Sequence, residues 1–521
     1  MLMLTVGCNT EREDPPAGGA TEPSGFDCDG HVADPLRRWS EAGFDGALAY
    51  SSPADGLCTI DEATAFDIGS VTKTMTAAAV LSLVERSTIA LDDTAGRWLP
   101  ELAGPVAAVT VDQLLTHTAG LGEAHAPDEQ PMSLAEALVT IDAQPLLFEP
   151  GADVSYSNSG YTLLAAIVER ASGRPFRDEL TAEVLTLPDG SVAGGFWTDG
   201  LPAGAPWALE GAGGVAMSVR QLHDWTVALA SGEIISRESV DRMTEPRVES
   251  DGGSLTYGWV SLDAETLGAP GLVSVGGGGS SGHEVALFWL PEGEQVVVLA
   301  SSSEGVRAED LAPAVVPALV AGDEVPPPVA SVTGDPADLV AREGRYVLDN
   351  GSSVEVTADG AHVTAAAGDG AALPVLFPAP ADLGADAVAE HERMVGDLMD
   401  GTATTGHEEI DRMKAELGAS SWRLLGTGYI DRELRTYVGL TTGDGTVDAW
   451  LALDELGGIA GIEYEAAPPS RRLVQVAEAT FVPAETIEGD DPEVTLTFAP
   501  ASGGDGLTVS SESSTVTAAR E

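Results

Sequence analysis

With 521 residues and 43 % hydrophobic content, the chain can fill two or more full-sized cores, which excludes disorder throughout. Its 83 acidic residues against 25 basic ones give a formal net charge of −58, a surface that repels nucleic acid and anionic membranes. This acidic bias, with lysine almost absent, reads as a property of the whole chain rather than a mark of one cationic partner.

The chain opens on Met1-Leu2-Met3-Leu4-Thr5-Val6-Gly7-Cys8 and continues as a polar, acidic tether over residues 1–25. Apolar residues ending in a small residue and then Cys read as the tail of a bacterial lipoprotein signal, in which Cys8 is lipidated. The basic region and full length of a complete signal are missing, and a chance match is the alternative. Cysteine usage favours the lipoprotein reading. Setting Cys8 aside leaves Cys28 and Cys58, one pair suited to a disulfide in an exported protein of the cell envelope, periplasmic or extracellular. The other reading is two buried thiols. No stretch approaches the length of a membrane-spanning helix, so membrane contact is expected through the lipid anchor alone.

Ala47-Leu48-Ala49-Tyr50 and Cys58-Thr59-Ile60 read as short strands leading to Phe66-Asp67-Ile68-Gly69-Ser70-Val71-Thr72-Lys73. The glycine permits a sharp turn, and the apolar pattern from Val71 through Val84 predicts a helix with Ser70 in its first turn. Lys73 shares a helix face with Ser70, within hydrogen-bond reach of its hydroxyl. A serine hydroxyl becomes nucleophilic when a neighbouring base takes its proton, and lysine, unlike arginine, can serve as that base. The chain has two lysines, Lys73 and Lys414, and one stands here.

Thr110 is expected to cap a helix through Leu115, with His117 stabilising its C-terminal end and Gly120 closing it. After a turn at Phe148-Glu149-Pro150-Gly151, Tyr156 and Asn158 lie two apart and share one side of an extended loop. The phenol is placed to relay a proton, and the amide to orient a substrate carbonyl or the Lys73 amine. An amphipathic helix follows from Leu163 to Ala171. Gly276 to Gly282 leads into a β-hairpin, its glycines letting backbone N–H groups approach a substrate. Gly278 to Gly282 also spells Gly-x-Ser-x-Gly, but that elbow requires a following helix, so Ser280 is set aside.

Val325-Pro326-Pro327-Pro328 reads as a stiff linker. Beyond it, alternating strands at hairpin spacing form a β-rich domain interrupted by a helical piece near 386–417. His407-Glu408-Glu409 lacks zinc-site spacing, and neither a metal site nor a cofactor is expected.

The motifs Ser70-Val71-Thr72-Lys73, Leu114-Leu115-Thr116-His117-Thr118-Ala119-Gly120-Leu121, and Tyr156-Ser157-Asn158-Ser159-Gly160-Tyr161, with Gly213-Gly214-Val215 and Tyr257-Gly258-Trp259, closely resemble the serine β-lactamase-related family. That family includes class C β-lactamases, D-alanyl-D-alanine carboxypeptidases, D-aminopeptidases and esterases. The resemblance implies an α+β fold, an antiparallel sheet flanked by helices with an all-helical lobe, followed by a β-rich, barrel-like domain similar to lipocalins. The implied layout is a tether over 1–25, a catalytic domain over 26–322, a linker over 323–335 and a β-rich domain over 336–521.

The same resemblance implies that Ser70 is the acylated nucleophile, Lys73 its base, Tyr156 the proton relay and Asn158 a partner of substrate or Lys73. Backbone N–H groups of Ser70 and the Gly278-Gly279 stretch form the oxyanion hole. One position departs from the pattern. Where the family places Lys or His before x-Gly, the aligned residue is Gly276, which disfavours substrates recognised by a carboxylate; His283 is the nearest residue that would compensate. The expected protein is an exported serine hydrolase of esters or amides, either an esterase or a peptidase or carboxypeptidase of D-amino-acid peptides, with β-lactams a further candidate. Its substrate is a small molecule or peptide, and no nucleic-acid partner is expected. A non-catalytic cell-surface binding protein of the same fold is the alternative.

Overall fold

The computed structural model describes residues 27–521 apart from 123–130, 198–206, 251–252, 279–281, 303–305, 333–335 and, farther on, 350, 359–361, 381–382, 404–406, 431–432, 444, 454–458, 465, 467–468, 500–505 and 512–513. Cys8, Gly279 and Ser280 lie outside the described residues. The chain divides into two units at Pro326 and Pro327.

In the first unit the strands are β1 (Gly46–Ser52), β2 (Gly56–Ile60), β3 (Ala65–Asp67), β4 (Gly195–Phe196), β5 (Val215–Ser218), β6 (Val248–Ser250), β7 (Gly253–Leu255), β8 (Val260–Leu262), β9 (Gly271–Gly278), β10 (His283–Leu290) and β11 (Gln295–Ser302). Eight of them form one antiparallel sheet in the order β2-β1-β11-β10-β9-β8-β7-β6. Strands β10 and β11 are buried along nearly their whole length, so both faces of the sheet centre are covered, and their Val/Leu/Ala/Phe runs fit that position. Helix Val219–Ser231 packs on β11 and β1, and helix Ala308–Ala321 on β10 and β11. Strands β3, β5 and β4 make a separate small sheet. Cys28 and Cys58 are joined, with 5.6 Å between their Cα atoms.

Helix Thr72–Glu85 is surrounded, with twelve of its fourteen residues buried. An all-round buried helix needs its polar groups satisfied internally. Thr74 Oγ1 donates to Val71 O at 2.8 Å and Thr76 Oγ1 to Gly211 O at 2.7 Å. Helices Val111–Leu115 and Leu134–Asp142 pack on helix Asn158–Ser172, which in turn packs on Thr72–Glu85.

The second unit contains β12 (Gly344–Leu348), β13 (Ser353–Ala358), β14 (Val363–Ala367), β15 (Ser421–Ile430), β16 (Glu433–Thr441), β17 (Thr446–Leu453), β18 (Ile459–Tyr464), β19 (Ser470–Ala477), β20 (Thr480–Pro483), β21 (Val494–Phe498), β22 (Gly506–Ser511) and β23 (Thr515–Arg520). Strands β12 to β14 and β19 to β23 close an eight-stranded barrel. Its interior is filled by Tyr346, Leu496 and Phe498, together with Leu373, Leu376 and Phe377 from the segment after β14. The interruption is larger than a helical piece. It comprises helices Gly384–Met399 and His407–Glu416 and a four-stranded sheet, β15 to β18, with a core of its own. Alternating apolar patterns look the same in either sheet, so strand spacing alone assigns all twelve to one domain.

The Pro-rich segment is pinned locally on each side of the division. Pro326 O accepts from Trp39 Nε1 at 2.8 Å, and Val329 N–H donates to Thr486 O at 2.8 Å.

Candidate active site

Three residues set the corner at Ser70. Phe66 on β3 pairs with Met217 on β5, and Ile68 N–H donates to Val215 O at 2.9 Å, which fixes where the chain leaves the small sheet. Gly69 then turns it with φ +49°, its N–H on Asp67 Oδ1 at 3.0 Å. Gly69–Val71 forms a 3-10 turn before the α-helix starts at Thr72, so Ser70 precedes the α-helix rather than lying in its first turn.

The i, i+3 relation survives this tightening. Lys73, 2 % exposed, directs Nζ to Ser70 Oγ at 3.0 Å, to Asn158 Oδ1 at 2.7 Å and to Ala212 O at 3.0 Å. Three acceptors match the three protons of an ammonium. The rings of Tyr156 and Tyr161 lie 4.7 and 5.7 Å from Nζ. Tyr156 Oη donates to Ser70 Oγ at 2.7 Å. Asn158 opens helix Asn158–Ser172 behind the capping Ser157, whose Oγ accepts from Gly160 N–H at 3.2 Å, so it is helical rather than in an extended loop. Tyr156 stays in the loop, and the two side chains converge from different backbone conformations.

Sequence reading missed Ala212, whose contribution is a backbone carbonyl. Its loop is fastened by Glu210, which takes a two-pronged ion pair from Arg177 at 2.8 and 2.9 Å. Burial pushes the Glu210 carboxyl up, with Arg177 opposing it. Only the run Gly211-Ala212-Gly213-Gly214 hinted at a close backbone approach.

The structure corrects the place given to Gly276. A Cβ there would lie 2.1 Å from Ile68 O and 2.5 Å from Ser70 N, so β9 runs flush against the Ser70 corner and no Lys or His fits. Gly277 faces the other way, toward Glu284. With a strand period of two, Ser274 and Gly278 share the face of Gly276. Ser274 is buried and uncharged, and Gly278 pairs with His283. His283 Nδ1 accepts from Asp67 N–H at 3.0 Å, an acceptor role open to the neutral ring, and burial lowers its pKa.

His117 is not the helix-end stabiliser expected. Helix Val111–Leu115 stops before it, and His117 sits at φ +57° with its ring stacked on Tyr156, centroids 4.6 Å apart. Burial first, and then the Lys73 charge, push its pKa down to about 3.

Two other features resemble sites. A cavity of about 760 Å³, lined by Asp112, Gln113, Thr116, Val154 and Arg247 among others, contains none of Ser70, Lys73 or Tyr156. His223 Nε2 lies 2.7 Å from Ser51 Oγ and its Nδ1 3.0 Å from Asp224, the spacing of a nucleophilic triad. Ser51 is held mid-strand between β2 and β11, which occupies the backbone donors an oxyanion would need.

A sequence model described as Beta-lactamase matches residues 44–320, more than half of the chain. Among characterised relatives, "Esterase EstB" of Burkholderia gladioli is 33 % identical over 223 residues, 38 % of this chain and 54 % of that protein. "Penicillin-binding protein 4*" of Bacillus subtilis is 24 % identical over 352 residues, 56 % of this chain and 74 % of that protein. The chain thus spans about half the length of the esterase it matches. A penicillin-binding protein homologue from Pyrococcus abyssi superposes with a TM-score of 0.47 at 17 % identity, covering 93 % of this chain and 98 % of that one.

Proposed function

The chain belongs to the beta-lactamase family, whose members are serine hydrolases, and we propose that it hydrolyses esters or amides of neutral acyl groups through an acyl-enzyme on Ser70. The observation that carries this reading is the convergence of Lys73 Nζ and Tyr156 Oη on Ser70 Oγ, at 3.0 and 2.7 Å. Lys73 or Tyr156 first gives up a proton to solvent; Ser70 Oγ then attacks the acyl carbonyl carbon while its own proton passes to that vacancy on the Tyr156/Lys73 pair. The carbonyl oxygen gains charge beside the Ser70 N–H and the glycine backbone of β9, as an oxyanion hole requires. The pair then returns the proton to the departing alcohol or amine. Water attacks the acyl-enzyme in the reverse sense and releases the acid and free Ser70.

The wall of the site supports the reading of a neutral substrate. Ser274, Gly276 and Gly278, on the β9 face that meets the Ser70 corner at Gly276, supply no cation, and the ring of His283 serves as a neutral acceptor. A substrate carboxylate would therefore meet no fixed positive charge along this strand. Likeness to a protein named an esterase supports the ester reading. The Cys28–Cys58 pair supports an exported protein, which Cys8 would anchor to a membrane by lipid.

Intact-mass spectrometry after a fluorophosphonate and, separately, a fluorescent penicillin tests this on wild type, Ser70→Ala and Lys73→Arg. The expected result is a fluorophosphonate adduct on wild type alone and no penicillin adduct. A Ser70-dependent penicillin adduct would reject the neutral-substrate assignment. Absence of any adduct would reject the acyl-enzyme and leave a surface binding protein.

A further inference from the structure

Tyr156 is 38 % exposed, yet the reaction needs its hydroxyl held at Ser70. One residue contacts the chain on both sides of it. His117 O accepts from Ser155 N–H at 2.9 Å, and His117 Nδ1 accepts from Ser157 N–H at 3.1 Å. Between these two bonds the imidazole stacks on the Tyr156 ring, with 26° between the planes. Tyr161 supports the imidazole in turn, centroids 5.2 Å apart, and is itself tied by its hydroxyl to Leu115 O at 3.0 Å. The left-handed backbone at His117, φ +57°, is disfavoured for a residue with a Cβ. It turns both the carbonyl and the ring toward residues 155–157.

We infer that His117 is a positioning residue that clamps Tyr156 over Ser70, an assignment that rests on the acyl-enzyme reading above. The clamp needs a neutral imidazole protonated on Nε2, because a protonated Nδ1 cannot accept from Ser157. Lys73 is the charged group bearing on the ring, and it disfavours a second cation there. His117 touches none of the reacting atoms; it acts through the phenol.

Two variants separate the parts of the clamp. His117→Phe keeps a stacking ring and loses the acceptor, whereas His117→Asn keeps an acceptor, tolerates positive φ and loses the stack. With the full chain and p-nitrophenyl butyrate, each variant is expected to acylate roughly 10- to 100-fold more slowly, the cost of a displaced catalytic group, with KM little changed. The fluorophosphonate adduct at Ser70 should slow in parallel. In ¹⁵N-histidine spectra of the wild type, the signal lost in His117→Asn should show an unprotonated Nδ1 from pH 8 to pH 5. A folded variant acylating at the wild-type rate would overturn the assignment, as would a protonated Nδ1 in the wild type. If the wild type forms no Ser70 adduct, the acyl-enzyme reading fails and the spectra alone decide on the clamp.

Discussion

Burying an ammonium costs several kcal/mol unless its protons find acceptors. At Lys73 that cost is met by a side-chain amide, a backbone carbonyl and the nucleophile itself. Such an arrangement tolerates little movement of the chain around Ser70, and Gly276 shows how little. Gly276→Ala would drive a methyl into Ile68 O and Ser70 N. It is expected to destabilise the fold by about 1–3 kcal/mol, as overpacking does, and to slow Ser70 labelling. Gly195→Ala is the control, since a Cβ there meets nothing within 4 Å. Urea melts and adduct kinetics of the two variants check this, and equal behaviour would show that β9 gives way.

At the scale of single elements, helix Gly384–Met399 carries a buried histidine that links it to the four-stranded sheet. His391 Nδ1 meets Thr436 Oγ1 at 2.8 Å, and its Nε2 accepts from Leu453 N–H at 3.2 Å. Thr436 in turn meets Thr427, which donates to Glu392 at 2.9 Å. Burial pushes the pKa of His391 down to about 4. The folded pKa lies below the unfolded one, so the unfolded chain binds the proton more readily. This contribution is full above about pH 6.5 and is lost as the pH falls toward 4, up to on the order of 3 kcal/mol. Melting the wild type and His391→Gln between pH 4 and pH 8 checks it. The stability difference between the two proteins should shrink on acidification, and a constant difference would mean the ring is not held neutral.

For the whole molecule, a formal charge of −58 sets the strongest long-range force. Like charges repel in the compact state, and added salt shortens their reach from about 10 Å at 0.1 M to about 3 Å at 1 M. The melting temperature is therefore expected to rise as sodium chloride is raised from 0.05 to about 1 M. A falling melting temperature would mean that attractive pairs such as Arg177 with Glu210 outweigh the net repulsion.

The sequence by itself determined the family, the fold class and the pairing of Ser70 with Lys73, because each is written in local order: a strand, a glycine turn, and a spacing of three on one face. It also presented Tyr156 and Asn158, whose types suit proton transfer and orientation. It left open how a loop tyrosine reaches Ser70 Oγ while a helical asparagine reaches Lys73 Nζ beside it. That depends on packing between segments 85 or more residues apart in the chain. The carbonyl of Ala212 was illegible because every residue has one, and only the loop's path decides which is used. His117 looked like a helix terminator because its sequence neighbours form a helix, while its contacts lie forty residues on. Gly276 looked like a lost side chain until the corner at Ser70 was seen to fill the space that side chain would need.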